Sequence, residues 1–200
     1  MAKRYALANM RVQPPGPGHF RLIDRMLENH DTVIIGIGST QVSRELANPF
    51  TFEERKQMLI NVYGDKIKIV PLRDLGTSAS TNEWCDYVLR KIKSIGLPDP
   101  TDYYAGSKAD AIWYRNRFLN ADVGSELDLS EDEFKSRYMP NGEIRLLHVI
   151  NRESSGLPSG TEIRTFIQTR TDEWKKYIPA VNHEIIEKCY PEELKIKLDD

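Results

Sequence analysis

One short segment limits the fold more than any other. Thr32-Val33-Ile34-Ile35-Gly36-Ile37 is an apolar, mostly β-branched run, the pattern of a strand buried on both faces. Ahead of it, Phe20, Ile23 and Leu27 recur at helical spacing. Tyr5 to Val12 reads as an earlier strand. Strand, helix and buried strand in that order call for a crossover connection, and so for an α/β fold around a parallel sheet.

The alternation continues. Thr51 can cap a helix with Glu53 and Glu54 in its first turn, running to about Tyr63. Lys66 to Leu72 is a third strand, Asn82 to Ile95 a helix, and Asp102 to Ala105 a short fourth strand. Asp110 to Phe118 reads as helical. The acidic stretch from Asn120 to Gly142 is expected to hold a short helix from Ser130 to Tyr138. Glu143 to Ile150 is a fifth strand, and Thr161 to Arg170 a helix. A small C-terminal helical portion follows, with Trp174, Tyr177, Ile178, Val181 and Ile185 as its apolar positions. The 200 residues suit one domain. It is expected to span residues 1–186, with a short charged tail over 187–200.

Composition excludes several classes. A net charge of -2 argues against sequence-independent nucleic-acid binding. No apolar run approaches the roughly 18–20 residues of a membrane span, and the chain's first residues lack the apolar core of a signal peptide. Cys85 and Cys189 are the only cysteines, and neither lies in a metal-type spacing. A reducing, cytoplasmic setting is therefore expected.

The chemistry should lie beyond the carboxyl ends of the strands, where an open parallel sheet binds its ligands. Four strand-end loops there carry glycine, serine or cations: Arg11 to His19, Gly38-Ser39, Gly106-Ser107-Lys108 and Ser159 to Arg164. Pro14-Pro15-Gly16-Pro17-Gly18 must be a loop. Gly16 and Gly18 let its backbone approach an oxyanion, and the N–H groups of the following helix point the same way. The same loop also fits a plain Pro-Gly turn with a surface histidine. Ser159-Gly160-Thr161 opens a helix whose Arg164 lies one turn further on the same side, yet Ser159 with Glu162 equally fits a capping box. Together the loops point to an anionic ligand, most simply a nucleotide.

These motifs resemble those of the nucleotidylyltransferase superfamily, whose fold is a Rossmann-like parallel sheet with flanking helices. Arg11, Gln13, Pro14, Gly18 and His19 match its first motif; Ser159, Gly160, Thr161, Ile163 and Arg164 match its second. Asn48-Pro49-Phe50-Thr51 with Glu54-Arg55 resembles a stretch of the nicotinamide mononucleotide adenylyltransferase branch, of the archaeal and bifunctional type. Asn82 with Trp84 is similar to its nicotinamide-holding pair, and Tyr177 to Val181 to a segment after its second motif. The likeness runs from about residue 5 to residue 186.

The resemblance implies an enzyme that joins nicotinamide mononucleotide to the adenylyl part of ATP, giving NAD and pyrophosphate by direct in-line attack, with Mg²⁺ accompanying ATP and few protein ligands to it. His19, Arg11 and Arg164 are the implied catalytic residues. Gln13, Gly16, Gly18, Gly38, Ser39, Ser159, Gly160, Thr161, Gly106 and Lys108 would surround ATP and its phosphates. Arg11, Asn82, Trp84, Asn48 and Arg55 would receive the mononucleotide. Members of the branch often form oligomers, so a homo-oligomer is an expectation here too. Without the resemblance, Trp84 reads as core, His148 as a satisfied strand histidine, and His30 and His183 carry no role.

The first motif departs from the family at its first histidine, which is Gly16 here; Met10, Val12 and Pro15 also differ. Losing one donor aimed at developing charge typically slows an enzyme by roughly 10²–10³. Two other readings follow: an adenylyltransferase for another phosphorylated acceptor, and a module that senses NAD or ATP with little turnover.

Overall fold

In a computed structural model of the chain, residues 3–107, 110, 111, 114, 133–138, 145–150 and 156–196 are described, with the backbone alone at 133–138 and 145. Strands β1 (Tyr5–Met10), β2 (Thr32–Ile37), β3 (Ile67–Pro71), β4 (Asp102–Ala105), β5 (Glu133–Tyr138) and β6 (Arg145–Ile150) form one sheet in the order β3-β2-β1-β4-β6-β5. All neighbours pair parallel except β5, which runs antiparallel to β6 at the edge. Strand order reverses between β1 and β4, which opens a crevice at their carboxyl ends.

The helices with described bounds are α1 (Pro17–Asn29), α2 (Phe52–Tyr63), α3 (Thr81–Ser94), α4 (Gly160–Gln168) and α5 (His183–Cys189), with short 3₁₀ turns after α2, between α4 and α5, and after α5. Alternation along the strands fills both faces of the sheet. Ala6, Ala8, Val33 and Ile35 meet Leu22, Ile23 and Met26 of α1 and Leu59 of α2 on one face. Leu7, Ile34 and Leu147 meet Cys85, Val88 and Ile92 of α3 on the other, beside Ala111 and Tyr114. Each fully buried side chain of this size contributes about 1.5–3 kcal/mol. A third cluster joins Phe50 and Met58 to Ile163, Trp174, Ile178, Ile186 and Tyr190. Packing therefore continues past residue 186, where a tail was expected to begin.

One element differs from the sequence expectation. The helix expected from Ser130 to Tyr138 is replaced by strand β5. Glu133-Phe134-Lys135-Ser136-Arg137-Tyr138 alternates charged with less polar residues. That period of two suits an edge strand, where charge discourages further pairing. The helix expected over Asp110 to Phe118 is seen at Asp110, Ala111 and Tyr114, its other positions lying outside the described residues.

Candidate active site

The first loop leaves β1 under strain. Val12 holds φ 48° and Ser39, after β2, holds φ 51°. Such backbone costs about 1–3 kcal/mol per residue and persists only where surroundings over-determine it. Arg55 is that surrounding. Its guanidinium is wholly buried and donates through Nη1 to the carbonyls of Arg11 (2.7 Å) and Gly38 (2.8 Å), and through Nη2 to that of Ser39 (3.2 Å). Burial pushes the Arg55 pKa down to about 10, against the pull of Asp74 and Glu54, which leaves it charged at neutral pH. Gln13, expected at the phosphates, is likewise buried. Its side chain exchanges two 2.9 Å hydrogen bonds with the backbone of Phe50. Both residues thus face protein backbone, and both fix the shape of the loops around them.

His19 occupies the third position of α1. Three other helices carry a glutamate there, at Glu54, Glu83 and Glu162, each closing a capping box. In α1 the imidazole takes that part: the Gly16 N–H donates to His19 Nδ1 at 3.0 Å. An accepting Nδ1 places the ring proton on Nε2. Pro17 has no N–H, and the Gly18 N–H finds no acceptor inside the helix, so it remains a donor at the helix start. A side chain at Gly16 would bring its Cβ to 3.3 Å from Ile163 Cδ1.

The second motif closes against the first. Ser159 caps α4, accepting from Glu162 N–H at 3.2 Å while its own N–H donates to Glu162 at 2.7 Å. Arg164 Nη1 donates to the Gln13 carbonyl at 2.9 Å, and Nη2 to Thr161 Oγ1 at 2.9 Å. Its pKa is lowered, first by burial and then by the like charge of Arg11. Arg11 is exposed and passes over Gly38, where an added Cβ would lie 3.9 Å from Arg11 Cγ. Two arginines and two helix starts at one end of the sheet make an arrangement that can seat an anion.

Other expected residues share this edge without a described contact to the arginines. Asn48 is buried, and its Oδ1 has no donor. An orphaned acceptor of this kind costs about 1–3 kcal/mol, which a ligand N–H would offset. Exposed Asn82 and half-buried Trp84 sit in the first turn of α3, after β3. Gly106 follows β4 across the switch point; Lys108 lies outside the described residues. Sequence reasoning missed Asn9, whose Nδ2 donates to Tyr114 Oη at 2.8 Å beneath the crevice. It also missed Asp74, which accepts from Ser39 Oγ at 3.1 Å and Gln41 Nε2 at 2.8 Å. A polar residue ending an apolar strand was the available signal for Asn9. A separate open groove along α1, lined by Phe20, Arg25, Tyr63, Lys176 and Ile178, lacks both arginines. Among the described residues, no helix is long and apolar enough to cross a membrane.

Comparisons with known proteins agree with this geometry. Residues 11–166 match the cytidylyltransferase-like family, from the first arginine of one motif to the helix of the other. A nicotinamide-nucleotide adenylyltransferase of Methanococcus aeolicus is 30% identical over 167 residues, covering 74% of this chain and 91% of the relative. The enzyme of the same name from Thermococcus kodakarensis is 36% identical over 88 residues, covering 41% of this chain and 45% of the relative. The chain spans less than half the length of several such curated relatives. A solved bifunctional NMN adenylyltransferase/ADP-ribose pyrophosphatase from Francisella tularensis shares the fold, with a TM-score of 0.67 and 19% identity over 96% of this chain and 52% of that one. With both motifs in register on a sheet whose order reverses between β1 and β4, the chain belongs to the cytidylyltransferase-like family of the nucleotidylyltransferase superfamily.

Proposed function

We propose that the chain transfers the adenylyl group of ATP to nicotinamide mononucleotide, forming NAD and pyrophosphate. The observation that carries this reading is the hydrogen bond from Arg164 to the Gln13 carbonyl, which holds the cationic start of α4 against the loop that runs from Arg11 to α1. Names of relatives that match along most of their length support the pyridine nucleotide as acceptor.

In this reading an oxygen of the mononucleotide phosphate attacks the α-phosphorus of ATP in line. One P–O bond forms, the bond to the pyrophosphate oxygen breaks, and no covalent enzyme intermediate arises. Catalysis is then positioning and charge neutralisation. Arg11 holds the acceptor phosphate. His19 donates from Nε2 to the phosphate oxygens as charge builds. Arg164, with the Gly160 and Thr161 N–H groups at the start of α4, grips the outer phosphates. Asn48 Oδ1 receives an amide N–H of the base, and Trp84 stacks on the cationic ring. Gln13 and Arg55 act through the loops they hold.

Mg²⁺ would arrive with ATP and neutralise phosphate charge. The side chains gathered at this edge are cationic, which fits an ion held by phosphate oxygens and water. Gly16 favours a second reading, a nucleotide sensor with little turnover. Incubation with ATP and the mononucleotide separates the two. NAD and pyrophosphate in equal amounts support the enzyme; tight NAD binding with no product supports the sensor.

A further inference from the structure

We infer that His30, Asp102 and His148 form a binding site for a transition-metal dication of the Zn²⁺ type, toward the amino ends of the strands, opposite the nucleotide crevice. One ligand atom from each lies within 4.8 Å of the others. They come from three elements: His30 follows α1, Asp102 opens β4, and His148 lies in β6. The side chains are 1%, 1% and 5% exposed.

The hydrogen bonds around His30 set its lone pair. Nδ1 lies 3.0 Å from the Met26 carbonyl and so carries the proton. Nε2 is left as the second ring nitrogen and faces Asp102 Oδ1 at 3.2 Å. A metal ion seated between Nε2 and Oδ1 would take the place that a proton otherwise holds. A ring whose second nitrogen donates to a backbone carbonyl is the common outer arrangement of a metal-bound histidine. His148 Nε2 reaches the same Oδ1 at 2.7 Å. Tyr104 fixes both rings, stacking on His148 at 4.3 Å and meeting His30 edge-on at 5.4 Å. The other carboxylate oxygen accepts from Thr101 Oγ1 at 2.7 Å and Arg4 Nε at 3.2 Å.

Two imidazoles and one carboxylate select Zn²⁺, Co²⁺ or Ni²⁺ over Mg²⁺ or Ca²⁺. Arg4 precedes β1 and Arg11 follows it, so about 20 Å of strand separates this site from the phosphate loops. An ion here would tie the end of α1 to β4 and β6 without touching substrate. Arg4 is its rival: Arg4 Nη2 bonds Asp102 Oδ1, the oxygen the metal needs. With a side chain 46% exposed, Arg4 can turn out to solvent as an ion enters.

The test is a titration of the purified chain with Co²⁺, read by visible absorption, and with Zn²⁺, read by calorimetry. One ion per chain is expected, with the d–d bands of a low-coordinate site. Arg4→Ala should bind about tenfold more tightly, because a competing charge-assisted hydrogen bond is gone. His30→Gln should abolish the bands, with circular dichroism confirming its fold. Should His30→Gln fail to fold, diffraction at the zinc edge on wild-type crystals decides. A peak between the three residues supports the site, and a peak elsewhere or none overturns it. Absent binding in both wild type and Arg4→Ala, or bands undiminished in folded His30→Gln, also overturns it.

Discussion

Arg164 donates to the main-chain carbonyl of Gln13 at 2.9 Å, joining residues 151 positions apart in the chain. This bond sets the second motif against the first, and burial with the like charge of Arg11 lowers the Arg164 pKa. Arg164→Gln should lower adenylyl transfer by roughly 10²–10³, the usual loss when one donor to developing charge is removed. Arg164→Lys should restore little, since an ammonium cannot span the Gln13 carbonyl, Thr161 Oγ1 and a phosphate together. Steady-state rates of NAD formation over a range of ATP check both.

Arg55 links three carbonyls from two loops. Arg55→Met would fill the space but orphan those acceptors, at about 1–3 kcal/mol each. A loss of at least about 3 kcal/mol is expected in urea unfolding. Val12 and Ser39 would also lose the contacts that hold their left-handed backbone, so residual activity should fall further than the folded fraction does. Activity that tracks the folded fraction alone would deny Arg55 its part in shaping the site.

Gly16 carries the family's missing histidine position on extended backbone, with φ -121°, which any residue adopts. The obstacle is Ile163 Cδ1, 3.3 Å from where a Cβ would stand. Gly16→His alone should therefore gain turnover but lose stability, by about 1 kcal/mol or more from overpacking. Ile163→Val in the same chain makes room. The double variant should exceed wild type in kcat and recover stability. Unchanged kcat in the double variant would mean that a second side-chain donor adds nothing here.

The start of α4 should be acid-sensitive. Hydrogen bonds from Ser159 hold the Glu162 carboxyl below its ordinary 4.5. A lowered carboxyl stabilises the fold above its unfolded value, and that contribution disappears as pH falls through the lower, folded value. The Glu162 titration followed by NMR should accordingly have a midpoint below 4.5; Ser159→Ala keeps the main-chain N–H that is the larger cause, and should return the midpoint only part of the way. A wild-type midpoint at or above 4.5 would show that the capping box does not hold this carboxylate.

Much of the fold was legible in the chain. The apolar run at Thr32–Ile37 and the helical spacing of Phe20, Ile23 and Leu27 report burial on the sheet, and both elements lie where that pattern places them. β5 was not legible as a strand. The acidic residues after Ser130 imitate a helix start, whereas its pairing with β6 depends on tertiary structure. Of the candidate site, the gathering of strand-end loops was legible, because Gly16, His19 and Arg164 are small or cationic residues next to strand ends or helix starts. The burial of Arg55 and Gln13 against backbone was not legible, because a side chain that shapes a loop and one that touches a ligand can share a motif. The His30–Asp102–His148 cluster was invisible, since its members are distant in sequence and meet only through strand order.

Gly36 gives a purely structural check. An added Cβ would strike Asn9 Oδ1 and come within 2.6 Å of Leu72 Cδ1. Gly36→Ala should cost about 1–3 kcal/mol and disturb the Asn9–Tyr114 hydrogen bond under the crevice. Thermal unfolding and the Tyr114 hydroxyl environment by NMR measure the two effects.

The central claim is adenylyl transfer at the paired arginines, and a single-turnover experiment tests it most directly. Enzyme in excess is mixed with ATP labelled at the α-phosphate, with and without nicotinamide mononucleotide. The label should pass to NAD, with one pyrophosphate per NAD, only when both substrates are present, and Arg164→Gln should slow that step by roughly 10²–10³. Label that stays in ATP with the mononucleotide bound, or that appears as free AMP, would contradict the account.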